Sequence, residues 1–282
     1  MRHPPWLKVR ISHEGDYAEV GDLVRNYHLH TVCQSARCPN IGECWRARTA
    51  TFMILGEICT RNCRFCAVSS GQPAPLDPEE PARVGQAVQQ LGLRHAVITS
   101  VTRDDLKDGG GAHFAETIHQ IRLYTPACRI EVLISDLQGS IEALKTIVYA
   151  RPDVLNHNIE TVPRLYPLVR PQADYRRSLR LLEVVRELDG DLATKSGLMV
   201  GLGETPDEIQ QTMQDLRAMD CDLLTVGQYL QPSYGHLPVQ RYVPPEEFDR
   251  LRKNGESLGF RHVEAGPLVR SSYHAAEQVL ES

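Results

Sequence analysis

From about residue 50 onward, short runs of apolar and β-branched residues alternate with longer stretches in which apolar residues recur every three or four positions. The first pattern suits a buried strand and the second an amphipathic helix. Their alternation marks repeated βα units on a parallel sheet. Six strands are expected, at Thr51 to Leu55, Ala96 to Ser100, Ile130 to Ile134, Val154 to Asn158, Gly197 to Val200 and Leu223 to Val226, each followed by helix-like sequence. In Pro81 to Leu91, Val84, Val88 and Leu91 share one face and Gly92 supplies the stop; in Pro206 to Met219, Ile209, Met213 and Leu216 share one face. Six units are too few to close a standard eight-stranded barrel. The pattern therefore predicts an α/β fold, a partial (β/α)6 barrel over residues 50–243 with a mouth wide enough for a large substrate.

Polar residues collect at or just past the C-terminal ends of these strands, the functional face of such folds. They are Thr102-Arg-Asp-Asp, Asn156-His-Asn-Ile-Glu160, Gly201-Leu-Gly-Glu204 and Gln228-Tyr-Leu-Gln-Pro232. Residues 1–49 do not share the βα rhythm and are expected to form an N-terminal extension packed on the barrel mouth. Residues 244–282 are expected to form a C-terminal extension, with a helix from Pro244, a short strand around Arg261 to Glu264 and a last helix from about Tyr273.

Composition narrows the function. With 282 residues, 41% of them hydrophobic, the chain can bury a large core without covalent staples. Six of its eight cysteines nevertheless fall between positions 33 and 66. Disulfide-dense scaffolds are short secreted domains, so bound metal in a reducing compartment is the better reading. The start, Met1-Arg-His-Pro-Pro-Trp-Leu7, has no apolar export core, and no run of 18 apolar residues occurs, so a cytoplasmic protein that does not span a membrane is expected. Against 36 acidic side chains stand 31 basic ones, a net charge of −5 without a polybasic tract, which argues against nucleic acid or an anionic membrane as partner.

The later triplet, Cys59-Thr-Arg-Asn-Cys63-Arg-Phe-Cys66, lies in the loop after the first strand. Three thiolates from one tight loop suit a cubane iron–sulfur cluster, which normally takes four ligands, so one iron is left for an outside chelator. A zinc knuckle short of one ligand, or three unrelated thiols, are the plainer readings. The spacing C-x3-C-x2-C resembles the radical S-adenosylmethionine (SAM) superfamily, which implies that the amine and carboxylate of SAM take the open iron and that Phe65 contacts the adenine. The earlier triplet, Cys33, Cys38 and Cys44, has the spacing C-x4-C-x5-C, again three thiolates suited to an iron–sulfur cluster seeking a fourth ligand. Cys128 and Cys221 lie beside expected strands in apolar sequence and read as small buried hydrophobes.

The two triplets at their fixed separation, with Asp104-Asp-Leu-Lys-Asp-Gly-Gly110, Asn156-His-Asn-Ile-Glu-Thr161, Lys195-Ser-Gly-Leu-Met-Val-Gly-Leu-Gly-Glu204, His236-Leu-Pro-Val and Arg270-Ser-Ser-Tyr-His-Ala275, resemble the lipoyl synthase family from about Cys33 to Ala275. The resemblance implies two 4Fe–4S clusters. One, on Cys59, Cys63 and Cys66, reduces SAM to methionine and a 5′-deoxyadenosyl radical, which takes hydrogen from unactivated carbon, chemistry that no side chain supplies. No Ser/His/Asp set is then needed, and no catalytic side chain is expected. The other, on Cys33, Cys38, Cys44 and Ser272, is consumed as the source of two sulfurs for C6 and C8 of an octanoyl chain on a carrier lysine. Oxygen is a harder ligand than thiolate and is easier to release from a cluster that is dismantled.

The resemblance also implies SAM contacts. Asn158 and Glu160 would meet the ribose, Lys195 the methionine carboxylate, and the strand through Met199 the adenine. Read without it, a serine pair before a helix at Tyr273 suits an N-cap, and polar residues in βα loops are as often capping or solvated. Asp104, Asp105 and Gly109 to Gly111 stand where the superfamily more usually has Gly-Gly-Glu. The implied partners are octanoylated lipoyl-carrier domains, of 2-oxoacid dehydrogenase E2 subunits or the glycine cleavage H protein, and an electron donor such as ferredoxin or flavodoxin. Two alternatives are another sulfur-inserting or methylthiolating radical SAM enzyme, against which the first triplet and Arg270-Ser-Ser-Tyr273 count, and a non-catalytic iron–sulfur or zinc carrier.

Overall fold

A computed structural model describes residues 4–8, 16–35, 38–46 and 51–280. Of the expected N-terminal extension, residues 1–3, 9–15, 36–37 and 47–49 lie outside the described residues. The chain packs as two compact units, one of Ile11–Arg61 and Ala67–Leu155, the other of Met1–Arg10, Asn62–Cys66 and Asn156–Ser282. Among the described residues no helix is long and apolar enough to cross a membrane.

The first unit holds α1 (Asp16–Asn26), β1 (His30–Thr31), α2 (Val32–Ser35), α3 (Ile41–Arg46), β2 (Thr51–Ile54), α4 (Glu80–Leu91), β3 (His95–Ser100), α5 (Gly111–Tyr124), β4 (Arg129–Leu133) and α6 (Ile141–Tyr149). β2, β3 and β4 pair in parallel, with Phe52 beside Ile98 and Ile98 beside Val132. All three side chains are fully buried, as near-continuous apolar strands covered on both faces should be. Each such side chain contributes about 1.5–3 kcal/mol by leaving water. The expected stop of α4 is there, Gly92 in the left-handed conformation at φ 62°.

β1 was not expected. Its two residues pair antiparallel with β2, His30 opposite Met53 and Thr31 opposite Phe52, and so tether the cysteine-bearing segment that follows. At the other end of β2, Leu55 takes a left-handed φ of 69°, strained for a branched residue. Its N–H donates to buried Glu80 Oε2 at 2.8 Å, and its carbonyl accepts from Arg103 Nη1 at 3.1 Å. Those bonds hold the turn that launches the Cys59 loop.

β5 (Val154–Asn156) falls at the boundary between the units. The second unit then contains α7 (Tyr166–Val169), α8 (Tyr175–Leu188), β6 (Ala193–Val200), α9 (Pro206–Ala218), β7 (Leu223–Gln228), α10 (Pro245–Leu258), β8 (His262–Gly266) and α11 (Ala275–Leu280). β6, β7 and β8 are parallel, with Val200 beside Gln228 and Gly227 beside Gly266. Two differences from expectation stand out. β6 begins four residues early, because Ala193-Thr-Lys-Ser196 looks polar yet is largely buried. The late strand around Arg261 to Glu264 is β8, and it continues the parallel ladder beside β7. α9 opens with a capping box, in which the Thr205 hydroxyl accepts from Glu208 N and Glu208 Oε2 accepts from Thr205 N.

Candidate functional site

In the first unit the earlier triplet is gathered into one place. Cys33 is buried on α2, Cys44 is half-buried on α3, and Cys38 lies between them. Cys38 N donates to the Cys33 carbonyl at 3.0 Å, Ile41 N to the Cys38 carbonyl at 3.3 Å, and Cys44 N to the Asn40 carbonyl at 2.9 Å. These bonds fix the backbone that carries the three cysteines. Burial pushes the Cys44 thiol up to about 12, helped by the charges that Cys33 and Cys38 carry when ionised. Burial likewise raises Cys33, with Cys38 adding to it. Three thiol side chains on one short segment, each able to ligate iron once it loses its proton, are a donor set that fits an iron–sulfur cluster. Among the described residues no three His, Cys, Asp or Glu side chains converge as they would on a single ion.

The same unit carries the start of the second triplet. Cys59 Sγ accepts from Arg61 N at 3.4 Å and from Thr102 N at 3.3 Å, the kind of donor a cluster thiolate takes. Cys59 N bonds to Ser69 O and its carbonyl accepts from Gly71 N, so the loop closes on itself as a small parallel bridge. Thr60 donates through N and Oγ1 to the Thr102 carbonyl, both at 3.0 Å, fastening this loop to the one after β3. In that loop Asp104 is bound by Arg61, and Asp105 by Arg103, which holds its carboxyl below the usual range.

In the second unit the rest of the triplet is held by backbone. Cys66 N donates to the Cys63 carbonyl, Arg64 N to Val169 O, and Leu237 N to Arg64 O, while His236 Nε2 lies 2.9 Å from the Cys66 carbonyl. Phe65 is half-buried in this segment. The Asn156-His-Asn-Ile-Glu160 run lies alongside β6, with Glu160 N bonded to Gly197 O and Met199 N to Glu160 O. Glu160 takes a left-handed φ of 66°, a strained backbone of the kind that collects at functional sites. Burial raises its carboxyl, against the opposing pull of the Arg170 charge and a bond from Asn158.

Asn158 is the hub of this cluster. Its Nδ2 donates to Glu160 Oε1 at 3.1 Å and to Ser271 Oγ at 3.3 Å. Its Oδ1 is buried and accepts no hydrogen bond among the described residues, which suits a ligand hydroxyl. A Cβ on Gly197 would stand 2.6 Å from that oxygen, so glycine is required there. Gly227 serves the incoming tail in the same way, since a Cβ there would meet Val269 O at 2.2 Å. Ser272 is half-buried in the turn that follows. The His274 carbonyl takes the first bonds of α11, from Glu277 N and Gln278 N, so the capping position falls at His274, two residues past Ser272.

Lys195 is fully buried at the third position of β6, five residues before the strand's C-terminal end, whereas Met199 is half-exposed one residue before that end. Gln228 at the end of β7 spends its side chain on backbone, donating to the carbonyls of Val200, Tyr229 and Arg241 and accepting from Val243 N. Cys128 and Cys221 are buried thiols that burial pushes up to about 11 and about 12, the inert kind expected. Arg61, Ser271 and Arg170, whose Nη1 donates to the carbonyls of Asn158 and Ile159, are not among the expected site residues. Arg61 carried a signal, a charge inside the cysteine motif, and so did Ser271, inside Arg270-Ser-Ser-Tyr273.

Residues 53–216 match the model of the radical SAM superfamily, which defines the class of this site, and residues 1–38 match that of the N-terminal domain of lipoyl synthase of the same family. The chain is 60% identical over 275 residues to the lipoyl synthase of Caldanaerobacter subterraneus subsp. tengcongensis, covering 98% of this chain and 96% of that one. It is 56% identical over 283 residues to the lipoyl synthase of Halalkalibacterium halodurans, covering 100% and 93%. The chain belongs to the lipoyl synthase family, whose members are radical SAM sulfur-inserting enzymes. Among solved structures, HydG, a maturase of the FeFe-hydrogenase, matches with TM-score 0.58 at 16% identity over 94% of this chain and 74% of that one. Methylornithine synthase matches with TM-score 0.55 at 14% identity over 87% and 81%. At those identities the likeness shows the fold, the partial-barrel α/β architecture of radical SAM enzymes. The superfamily works with a 4Fe–4S cluster and SAM, and lipoyl synthases act on lipoyl carrier proteins and need a reductant.

Proposed function

We propose that this enzyme inserts two sulfur atoms, at C6 and C8, into an octanoyl chain carried on a lysine of a lipoyl-carrier domain. Two 4Fe–4S clusters serve it, one on Cys59, Cys63 and Cys66 with SAM on the open iron, the other on Cys33, Cys38, Cys44 and Ser272 as the sulfur source. When bound, the first cluster and SAM together supply a carbon-centred radical able to take hydrogen from an unactivated C–H bond. The chain's own residues bind and orient. Asn158 and Glu160 take the ribose hydroxyls, Phe65 and the Met199 strand flank the adenine, and Lys195 balances the methionine carboxylate. Carriers of the 2-oxoacid dehydrogenase E2 or glycine cleavage H type are its substrates, and ferredoxin or flavodoxin its electron donor, in the reducing cytoplasm.

The observation behind this reading is the earlier triplet itself, Cys33 on α2, Cys38 bonded through its N–H to the Cys33 carbonyl and Cys44 on α3, three thiol ligands beyond those of the Cys59, Cys63 and Cys66 motif. SAM cleavage alone has no use for it; a sacrificial sulfur source does. The test is to rebuild the clusters anaerobically, reduce the protein, add SAM and an octanoyl-lysyl carrier domain, and weigh the products. The reading expects 5′-deoxyadenosine and a carrier with two added sulfurs. Deoxyadenosine with an unchanged carrier would assign the site to another radical SAM substrate.

A further inference from the structure

Arg61, two residues after Cys59 inside the cysteine motif, is 5% exposed. Its Nε lies 2.6 Å from Asp104 Oδ2, and its Nη2 lies 2.9 Å from Asp104 Oδ1 and 2.6 Å from Asp136 Oδ1. A forked pair to one carboxylate with a third bond to another fixes the plane of the guanidinium, which a lysine's single ammonium cannot do.

The backbone joined to that clamp faces sulfur. Arg61 N donates to Cys59 Sγ, and Thr102 N, from the loop that also carries Asp104, donates to the same atom. Asp104 N in turn bonds to Thr60 Oγ1 at 3.0 Å, which locks the two loops in register. The clamp therefore fixes both N–H groups at once. Hydrogen bonds to a cluster thiolate stabilise the more negative, reduced state and raise the reduction potential.

We infer that Arg61 is a positioning residue, whose clamp on Asp104 and Asp136 holds two backbone N–H donors on Cys59 Sγ and so eases reduction of the cluster that Cys59 ligates. The inference rests on Cys59 being a ligand of the SAM-binding cluster, and it adds the means by which this chain sets that cluster's potential. It makes Arg61 matter to electron entry without contact with SAM or substrate.

The test uses the full-length protein with its clusters rebuilt, as wild type, Arg61→Gln, Arg61→Lys and Asp136→Asn. The reduced fraction is read by electron paramagnetic resonance at a fixed poise near the wild-type midpoint, on the signal that changes when SAM is added. Arg61→Gln is expected to keep its iron but lower the reduced-to-oxidised ratio several-fold, with Arg61→Lys and Asp136→Asn in between; a full tenfold corresponds to 59 mV for one electron. Variants with full iron and the wild-type ratio would overturn the inference, because the clamp would then be a structural ion pair. Failure of all three variants to load iron would overturn it too, because the clamp would then be needed to build the site. Wild type that cleaves SAM but transfers no sulfur would sink the proposed function and leave this inference standing. A wild-type signal that never responds to SAM would remove the inference itself.

Discussion

Asn158 Nδ2 donates to Ser271 Oγ at 3.3 Å, a bond between residues 113 positions apart. It ties the asparagine beside β6 to the serine pair of the chain's tail, so the expected SAM contact and the expected cluster serine are neighbours within one unit. The same amide reaches Glu160, and its oxygen is left for a ligand. Asn158→Ala removes all three capacities. Leaving buried polar partners unmatched costs about 1–3 kcal/mol, which corresponds to roughly 5- to 160-fold weaker SAM binding. Equilibrium dialysis of labelled SAM against the rebuilt enzyme reads this directly, and unchanged affinity would remove Asn158 from the site.

Ser272 sits two residues before the position that starts α11. A cap removed from a helix costs stability of the whole chain; a ligand removed from a cluster costs sulfur transfer. Ser272→Ala is expected to melt close to wild type, still make 5′-deoxyadenosine, and yield no doubly thiolated carrier. A variant that transfers sulfur normally would take Ser272 off the ligand set.

Cys128 and Cys221 offer the matching control. Each is a single small side chain in apolar packing, so replacement by alanine removes one heavy atom from the core and costs on the order of 1 kcal/mol. Iron and sulfide assays on Cys128→Ala and Cys221→Ala are expected to match wild type, whereas Cys38→Ala loses the cluster of the first triplet. Iron lost from either core variant would mean that a buried thiol had been misread.

Acid stability has a specific origin at the start of α9. The forked bond from Arg164, joined by the Thr205 N–H, pulls the Glu208 carboxyl down to about 2. A carboxyl depressed by folding contributes stability above its ordinary value near 4.5, and that contribution fades as the pH falls from there toward about 2. Urea midpoints followed from pH 5 to pH 2.5 are expected to fall more steeply in wild type than in Glu208→Gln. Parallel slopes would show that the capping box contributes nothing to acid resistance. Because Arg164 and Glu208 are partly solvated, salt should weaken the effect.

The cysteine spacings were legible because ligand sets within a short loop are written in local sequence. The βα rhythm was legible for the same reason, since each strand buries both faces and each helix one. β6 was half-seen because Lys195, a charge, occupies a fully buried strand position that composition alone assigns to a loop. Gln228 and Asp104 look like site residues in sequence, being polar and at strand ends, yet one satisfies backbone and the other holds Arg61. Polarity at a barrel mouth marks both binding and the closing of backbone bonds, and only coordinates separate them. The bond between Asn158 and Ser271 has no local signature at all.

Strands that pair with their neighbours in sequence, β2 with β3 with β4 and β6 with β7 with β8, bear on how the molecule is made. The unit that gathers Cys33, Cys38 and Cys44 ends at Leu155. At about 5–20 residues per second of synthesis, Ser272 leaves the ribosome roughly 6–23 s later. A chain made in that order completes the segment bearing Cys33, Cys38 and Cys44 before the tail bearing Ser271 and Ser272 has been synthesised.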